Sequence, residues 1–270
     1  MENTPCYHQI FVISEPGGLY IYNLIIMGLF SKLFGQSDKS TPTDLPSTQP
    51  NTTPCKSEQE LIERYGGIAL EKQLDFGDII GSNNWNVDVT KGTISFGPEL
   101  CFPMQSIGTF SHSSQTWLWA WANTKSGLPE SIIQQSLQLK KYGEDNEIDL
   151  LRNDTFDFSK DELHLVGAIA SGMFNASAYY IADYGQGAMV VTIKSGIVDK
   201  ARTDNHLRIL TVFPQLISLF DMNHKNALVN YLQAKGYVVS DAENTVTGIK
   251  NNNTITGQFD ELSRLTKLNG

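Results

Sequence analysis

Thr116-Trp-Leu-Trp-Ala-Trp-Ala-Asn123 is the densest stretch of this 270-residue chain. Read with the two-residue period of a strand, Trp117, Trp119 and Trp121 point to one side and Leu118, Ala120 and Ala122 to the other. The alternation predicts a strand over Gln115–Ala122. Three indoles on one face can make a stacking platform for a sugar, base or peptide. The plainer reading makes them core beneath a covering helix, each burying a large area and seeking a partner for its N–H. No basic residue is interleaved, so core is the favoured reading.

Working outward, Leu100–Phe110 predicts a neighbouring strand, joined through Ser111-His-Ser-Ser. Upstream, Trp85-Asn-Val-Asp-Val and Thr93-Ile-Ser-Phe flank Lys91-Gly92 as a hairpin. Ser57 and Glu60 have capping-box spacing, and Leu61, Tyr65, Ile68 and Ala69 follow at helical intervals. Downstream, Pro129 and Glu130–Tyr142 predict a helix ended by Gly143. Ser159 and Glu162 repeat the capping spacing ahead of a helix over Lys160–Phe174. Its Gly167, Ala168, Ala170, Ser171 and Gly172 predict a closely approaching neighbour, because a mid-helix glycine costs about 1 kcal/mol. Ala176–Ala182 and Ala188–Lys194 flank Gly185-Gln-Gly187 as a second hairpin. Helices over Pro214–Phe220 and Asn223–Lys235 precede short strands at Tyr237–Ser240, Thr245–Lys250 and Thr254–Phe259. Strands come in antiparallel clusters flanked by helices rather than in strict βαβ alternation, so the fold class is α+β. The order helix, strands, helix occurs over 57–142 and again over 160–236, which is compatible with a degenerate duplication.

The chain divides into three parts. Residues 1–26 carry Glu2 and Glu15 and no Lys or Arg, which rules out the positive n-region of a secretory signal. Met27-Gly-Leu-Phe-Ser-Lys-Leu-Phe-Gly35 is expected to be the true start, with 1–26 an upstream extension. Residues 27–56 then join a short amphipathic segment to a linker in which Pro42, Pro46, Pro50 and Pro54 recur among Ser and Thr. Met27–Phe34 offers at most weak membrane contact. Residues 57–270 form the predicted single domain.

A formal net charge of −9 argues against a nucleic-acid binder. Cys6, Cys55 and Cys101 lack paired spacing, which points to a cytoplasmic, reducing setting, with Cys101 expected as a small buried residue in a strand. His8, His112, His164, His206 and His224 show no metal-ligand spacing, so no metal and no cofactor is expected. His164 is expected to be half-buried and His224 exposed. Glu144, Asp145, Glu147 and Asp149 lack the register of a calcium loop and read as a solvated cluster. No nucleophile elbow, phosphate loop or dinucleotide fingerprint is present.

Ile107-Gly-Thr-Phe, the tryptophan segment, Pro129-Glu and Tyr142-Gly-Glu together resemble the bacterial family DUF6882, a domain of unknown function. The resemblance runs over roughly 60–260 and implies a bacterial origin and an α+β fold, with no functional residue to carry over. The expected role is a non-enzymatic binding or interaction module, immunity-like or regulatory, whose partner is another protein. The alternative is a hydrolase-like enzyme in which His112, Glu130, Trp117, Trp119 and Trp121 line one cleft. Those five residues are the candidate binding set.

Overall fold

Ser57 accepts a hydrogen bond from the Glu60 N–H at 3.1 Å, and helix α1 (Glu58–Ile80) begins there. The Glu60 carboxylate reaches back to the Lys56 N–H at 2.8 Å, one residue ahead of the usual reciprocal partner. Leu61, Ile62, Ala69, Phe76 and Ile80 then bury one side of the helix. The computed structural model describes residues 53–202 and 204–270. The upstream extension 1–26, the segment Met27–Phe34 and most of the linker lie outside the described residues. The last linker residues lie inside them: Cys55 is fully buried and its N–H donates to the Tyr142 hydroxyl at 2.7 Å. Packing therefore begins ahead of Ser57.

Among the described residues, seven strands make the larger sheet: β1 (Trp85–Asp88), β2 (Thr93–Phe96), β3 (Leu100–Ser111), β4 (Thr116–Trp119), β5 (Thr155–Asp157), β6 (Ala178–Asp183) and β7 (Gly187–Ile193). Both predicted hairpins form, β1–β2 and β6–β7. Gly185, at φ +85°, supplies the left-handed turn of the second. Strand β3 is the spine, pairing with β2, β4 and β7. Because β7 pairs with β3, the strands of both candidate repeats belong to one sheet.

Strand β4 stops at Trp119, three residues short of the predicted Ala122. The Ala122 N–H bonds the Trp119 carbonyl at 3.0 Å, so the chain turns and Trp121 leaves the strand. Trp117 and Trp119 are buried with Phe110, Leu163, Val166 and Ile169, as the core reading requires. Helix α2 (Gln134–Asn146) begins after a 3-10 turn at Glu130–Ile132 and runs past Gly143. Gly143 serves instead as the place where Leu151 of α3 (Asp149–Arg152) comes close: a Cβ there would stand 2.5 Å from the Leu151 Cβ.

Helix α4 (Leu163–Met173) starts later than Lys160, because the Ser159 hydroxyl donates to the Glu162 carboxylate at 2.9 Å instead of accepting from the helix. Its glycines do admit neighbours: a Cβ on Gly167 would collide with the Tyr179 ring and one on Gly172 with Tyr65. After α5 (Gly196–Ala201), α6 (Arg208–Leu219) carries Pro214 inside it rather than at its start. Ile209, Val212, Phe213 and Leu216 form a buried stripe that begins before the proline and outweighs the hydrogen bond it removes. Helix α7 (His224–Ala234), capped by Asn223, packs beneath a four-stranded meander of β8 (Val238–Ala242), β9 (Thr245–Lys250), β10 (Asn253–Phe259) and β11 (Leu265–Asn269).

Helix α1 is the axis that joins these layers, touching α4, α6 and α7. Gly67 lets α7 in: a Cβ there would lie 2.5 Å from the Tyr231 Cγ, whereas one on Gly77 meets nothing within 4 Å. Gly67→Ala should therefore cost about 1–3 kcal/mol through overpacking. Gly77→Ala should gain about 0.5–1 kcal/mol through helix propensity. Urea midpoints of the two variants, moving in opposite directions from the native value, check both.

Candidate functional site

Arg64, Tyr65, Ile68, Glu71 and Lys72 fall at helical spacing along one stripe of α1. That stripe is one wall of a cleft of about 730 Å³. Asn230 and Gln233 of α7, Lys235 just after it, Tyr142 of α2, Gly172 of α4, Asn175, Arg202 and Asp204 complete its lining. The volume lies within the range of small-molecule sites.

Charge is distributed unevenly in this cleft. The Glu71 carboxylate, 1% exposed, accepts from the Lys235 Nζ at 2.7 and 2.9 Å and from the Tyr231 hydroxyl. Burial, reinforced by that carboxylate, holds the Tyr231 phenol far above its ordinary pKa. Asp204 is taken up by Lys250 at 2.6 Å and Lys235 at 3.4 Å, and it titrates below the usual carboxylate range, chiefly through the hydrogen bond from Lys250. Both carboxylates of the lining are thus already paired. Arg64 donates to the Thr53 carbonyl at 2.6 Å and pairs with no carboxylate among the described residues. The Nε atoms of Arg64 and Arg202 are buried and lack a hydrogen-bond partner among the described residues. For Arg202 the nearest carboxylate is Asp75 at 3.7 Å, which Arg208 also engages. Burial outweighs both guanidiniums there and raises the Asp75 pKa.

Lys72 is the unusual member. It is 4% exposed, and its ammonium donates to the Ala176 carbonyl at 2.6 Å and to Asn175 Oδ1 at 2.9 Å, neither of them charged. Burial first, then the neighbouring charges of Arg202 and Lys194, lower its pKa to about 8, against a smaller opposing pull from Asp199. Folding therefore sheds a proton between pH 8 and the unfolded value of 10.5, where the unfolded chain still holds it. The penalty is present in full below pH 8, and stability due to this group rises with pH across that window. The difference in unfolding free energy between native chain and Lys72→Met should accordingly change by about 2 kcal/mol from pH 7 to pH 10, in favour of the native chain.

The sequence-predicted candidates lie elsewhere. Trp117 and Trp119 are core, and Trp121 is half-buried with the Lys140 Nζ 4.4 Å over its ring. His112, edge-on to Phe110, has its Nε2 3.1 Å from Asp183 Oδ1. Asp183 also binds Lys160 at 2.7 Å, and its pKa falls to about 2 because these hydrogen bonds, with that from the Gly185 N–H, overcome its partial burial. Glu130 is exposed beside Gln134. It sits near Gln105, midway along β3, whose side chain bonds the Ser131 carbonyl, whereas His112 follows the last residue of β3. Seven positions separate Gln105 from His112, roughly 23 Å at strand rise. The structure does not bring the five candidates together.

Three other expectations are corrected. Cys101 is exposed in β3, and Cys55 is the buried thiol. His164 is exposed, with Nδ1 3.0 Å from the Tyr179 hydroxyl. His224 is half-buried and its Nδ1 accepts the Leu265 N–H at 3.0 Å. The acidic cluster is spread over surface pairs with Lys140, Lys141 and Arg152. No group of three or more metal-ligating side chains occurs among the described residues. Nor, among them, is any helix long and apolar enough to cross a membrane.

The cleft residues were legible in one respect. Glu71 and Lys72 follow Ile68 by three and four positions, so they continue the apolar face of α1 where solvated charges do not belong. No curated protein and no solved structure matches the chain. A family model matches residues 59–195, from the start of α1 through β7, which is shorter than the 60–260 of the sequence resemblance. Arg202, Asp204 and the α7 wall of the cleft lie beyond it. The match spans half of the chain, and the protein belongs to the family of unknown function DUF6882.

Proposed function

We propose that this protein is a binding module whose α1–α7 cleft holds the anionic group, carboxylate or phosphate, of a ligand. One observation carries the reading: in a chain of net charge −9, the lining sets Arg64, Lys72, Arg202 and Lys235 against Glu71 and Asp204, and both carboxylates are already paired. Arg64 and Lys72 have no carboxylate partner among the described residues, and unpaired cations in a partly buried cleft attract anions more strongly than surface charges do. A guanidinium such as that of Arg64 suits the planar oxygens of a carboxylate or phosphate.

The anionic group belongs to a segment of another protein or to a small molecule, and the chemistry of recognition is shared. Calorimetric titration with free phosphoserine and with a phosphoserine-containing nonapeptide separates the two. Tighter binding of the peptide would support a protein partner, and equal or tighter binding of the amino acid a small ligand. Absence of saturable binding in both arms would sink the proposal. A hydrolase-like centre has less support, since His112 faces Asp183 and Lys160 while Glu130 stands far off. The wide, unpaired spacing of the three cysteines supports a cytosolic setting, and the tryptophan-segment resemblance supports a bacterial one.

A further inference from the structure

We propose that Lys72 captures a small anionic carbonyl compound as an imine within this cleft. The inference rests on the anion reading and adds covalent chemistry to it. Three observations carry it. First, the Lys72 Nζ is fixed rather than free: the Ala176 carbonyl at 2.6 Å and Asn175 Oδ1 at 2.9 Å hold it against the cleft wall. Second, no carboxylate among the described residues pairs with it. The anion closest in influence, Asp199, is bridged by Lys194 at 2.9 Å, and Arg202 and Lys194 both disfavour its ammonium form. A lysine buried beside other cations is the arrangement that releases a neutral, nucleophilic amine near neutral pH. Third, Arg202 borders the same cleft and its charge acts on Lys72, so an anion can be anchored beside the amine.

The step balances without a co-reactant. The neutral amine adds to the carbonyl carbon, and the resulting carbinolamine loses water. The carbonyl oxygen departs with the two hydrogens that the amine gives up, leaving a C=N bond that hydrolysis reverses. At pH 8 a group titrating near 8 is half neutral. Its neutral fraction is on the order of a hundredfold above that of an ordinary lysine.

The test uses the full chain with pyridoxal 5′-phosphate, an anionic aldehyde, and cyanoborohydride at pH 8, followed by peptide mass mapping. Pyridoxine 5′-phosphate, which keeps the phosphate and lacks the aldehyde, serves as competitor and as calorimetric titrant. The expected result is reduction of the adduct predominantly onto Lys72, protection by the competitor, and loss of that adduct in Lys72→Arg. Labelling spread evenly over surface lysines, or unaffected by the competitor, would overturn the inference. If the competitor binds but Lys72 remains unlabelled, imine capture fails and the anion reading stands. If the competitor does not bind at all, both fall.

Discussion

Replacing Glu71 with leucine is expected to destabilise the chain by about 3–5 kcal/mol, the cost of leaving one partner of a buried ion pair uncompensated. Glu71 is the acceptor shared by Lys235, whose side chain is 3% exposed, and the fully buried Tyr231. Its loss leaves the ammonium only the longer contact with Asp204 at 3.4 Å and strands the Tyr231 hydroxyl at the contact between α1 and α7. The double variant Glu71→Leu with Lys235→Met should recover most of that loss, since an apolar pair of similar volume costs neither desolvation nor an orphaned charge. Urea unfolding of the two singles and the double gives the coupling directly. Additive effects would mean that the pair does not hold the two helices together.

Trp119→Ala should cost a comparable 3–5 kcal/mol. The side chain is 1% exposed, stands edge-on to Trp117 at 5.4 Å, and donates its indole N–H to the Leu150 carbonyl at 3.0 Å. That bond ties β4 to α3, so Trp119→Phe should still cost about 1–3 kcal/mol, part of it the buried carbonyl left without a donor. The Trp117 indole N–H has no partner among the described residues, so Trp117→Phe should be milder. Equal losses from the two phenylalanine variants, measured by denaturant midpoint, would remove the Leu150 bond from the account.

These two sites also mark what was legible in the sequence. The burial of Trp117 and Trp119 follows from a period of two, a local property that eight residues display. Where β4 ends does not follow from it, because the turn at Ala120–Asn123 depends on bonds such as that from the Ala120 N–H to the Ile107 carbonyl. The start of α6 was missed because Pro214 is a strong local signal, and the apolar stripe on either side of it outweighs that signal only once packed against α1 and α7. Glu71 and Lys235 are 164 residues apart, and no pattern within a window of the chain pairs them. Hydroxyls around His112 attracted a catalytic reading by type, whereas a cleft is assembled by helices meeting, which spacing alone does not show. The α+β class, both large-sheet hairpins and the small-residue face of α4 rest on local periodicity and turn chemistry, and those hold in the structure.

Calorimetric titration of the native chain and of Lys72→Met with inorganic phosphate at low salt tests the central claim most directly. The account predicts saturable binding to the native chain, weakened about 10- to 100-fold in the variant by loss of a charge-assisted contact, and falling as salt is raised. Equal binding by the two proteins, or none by the native chain, would contradict it.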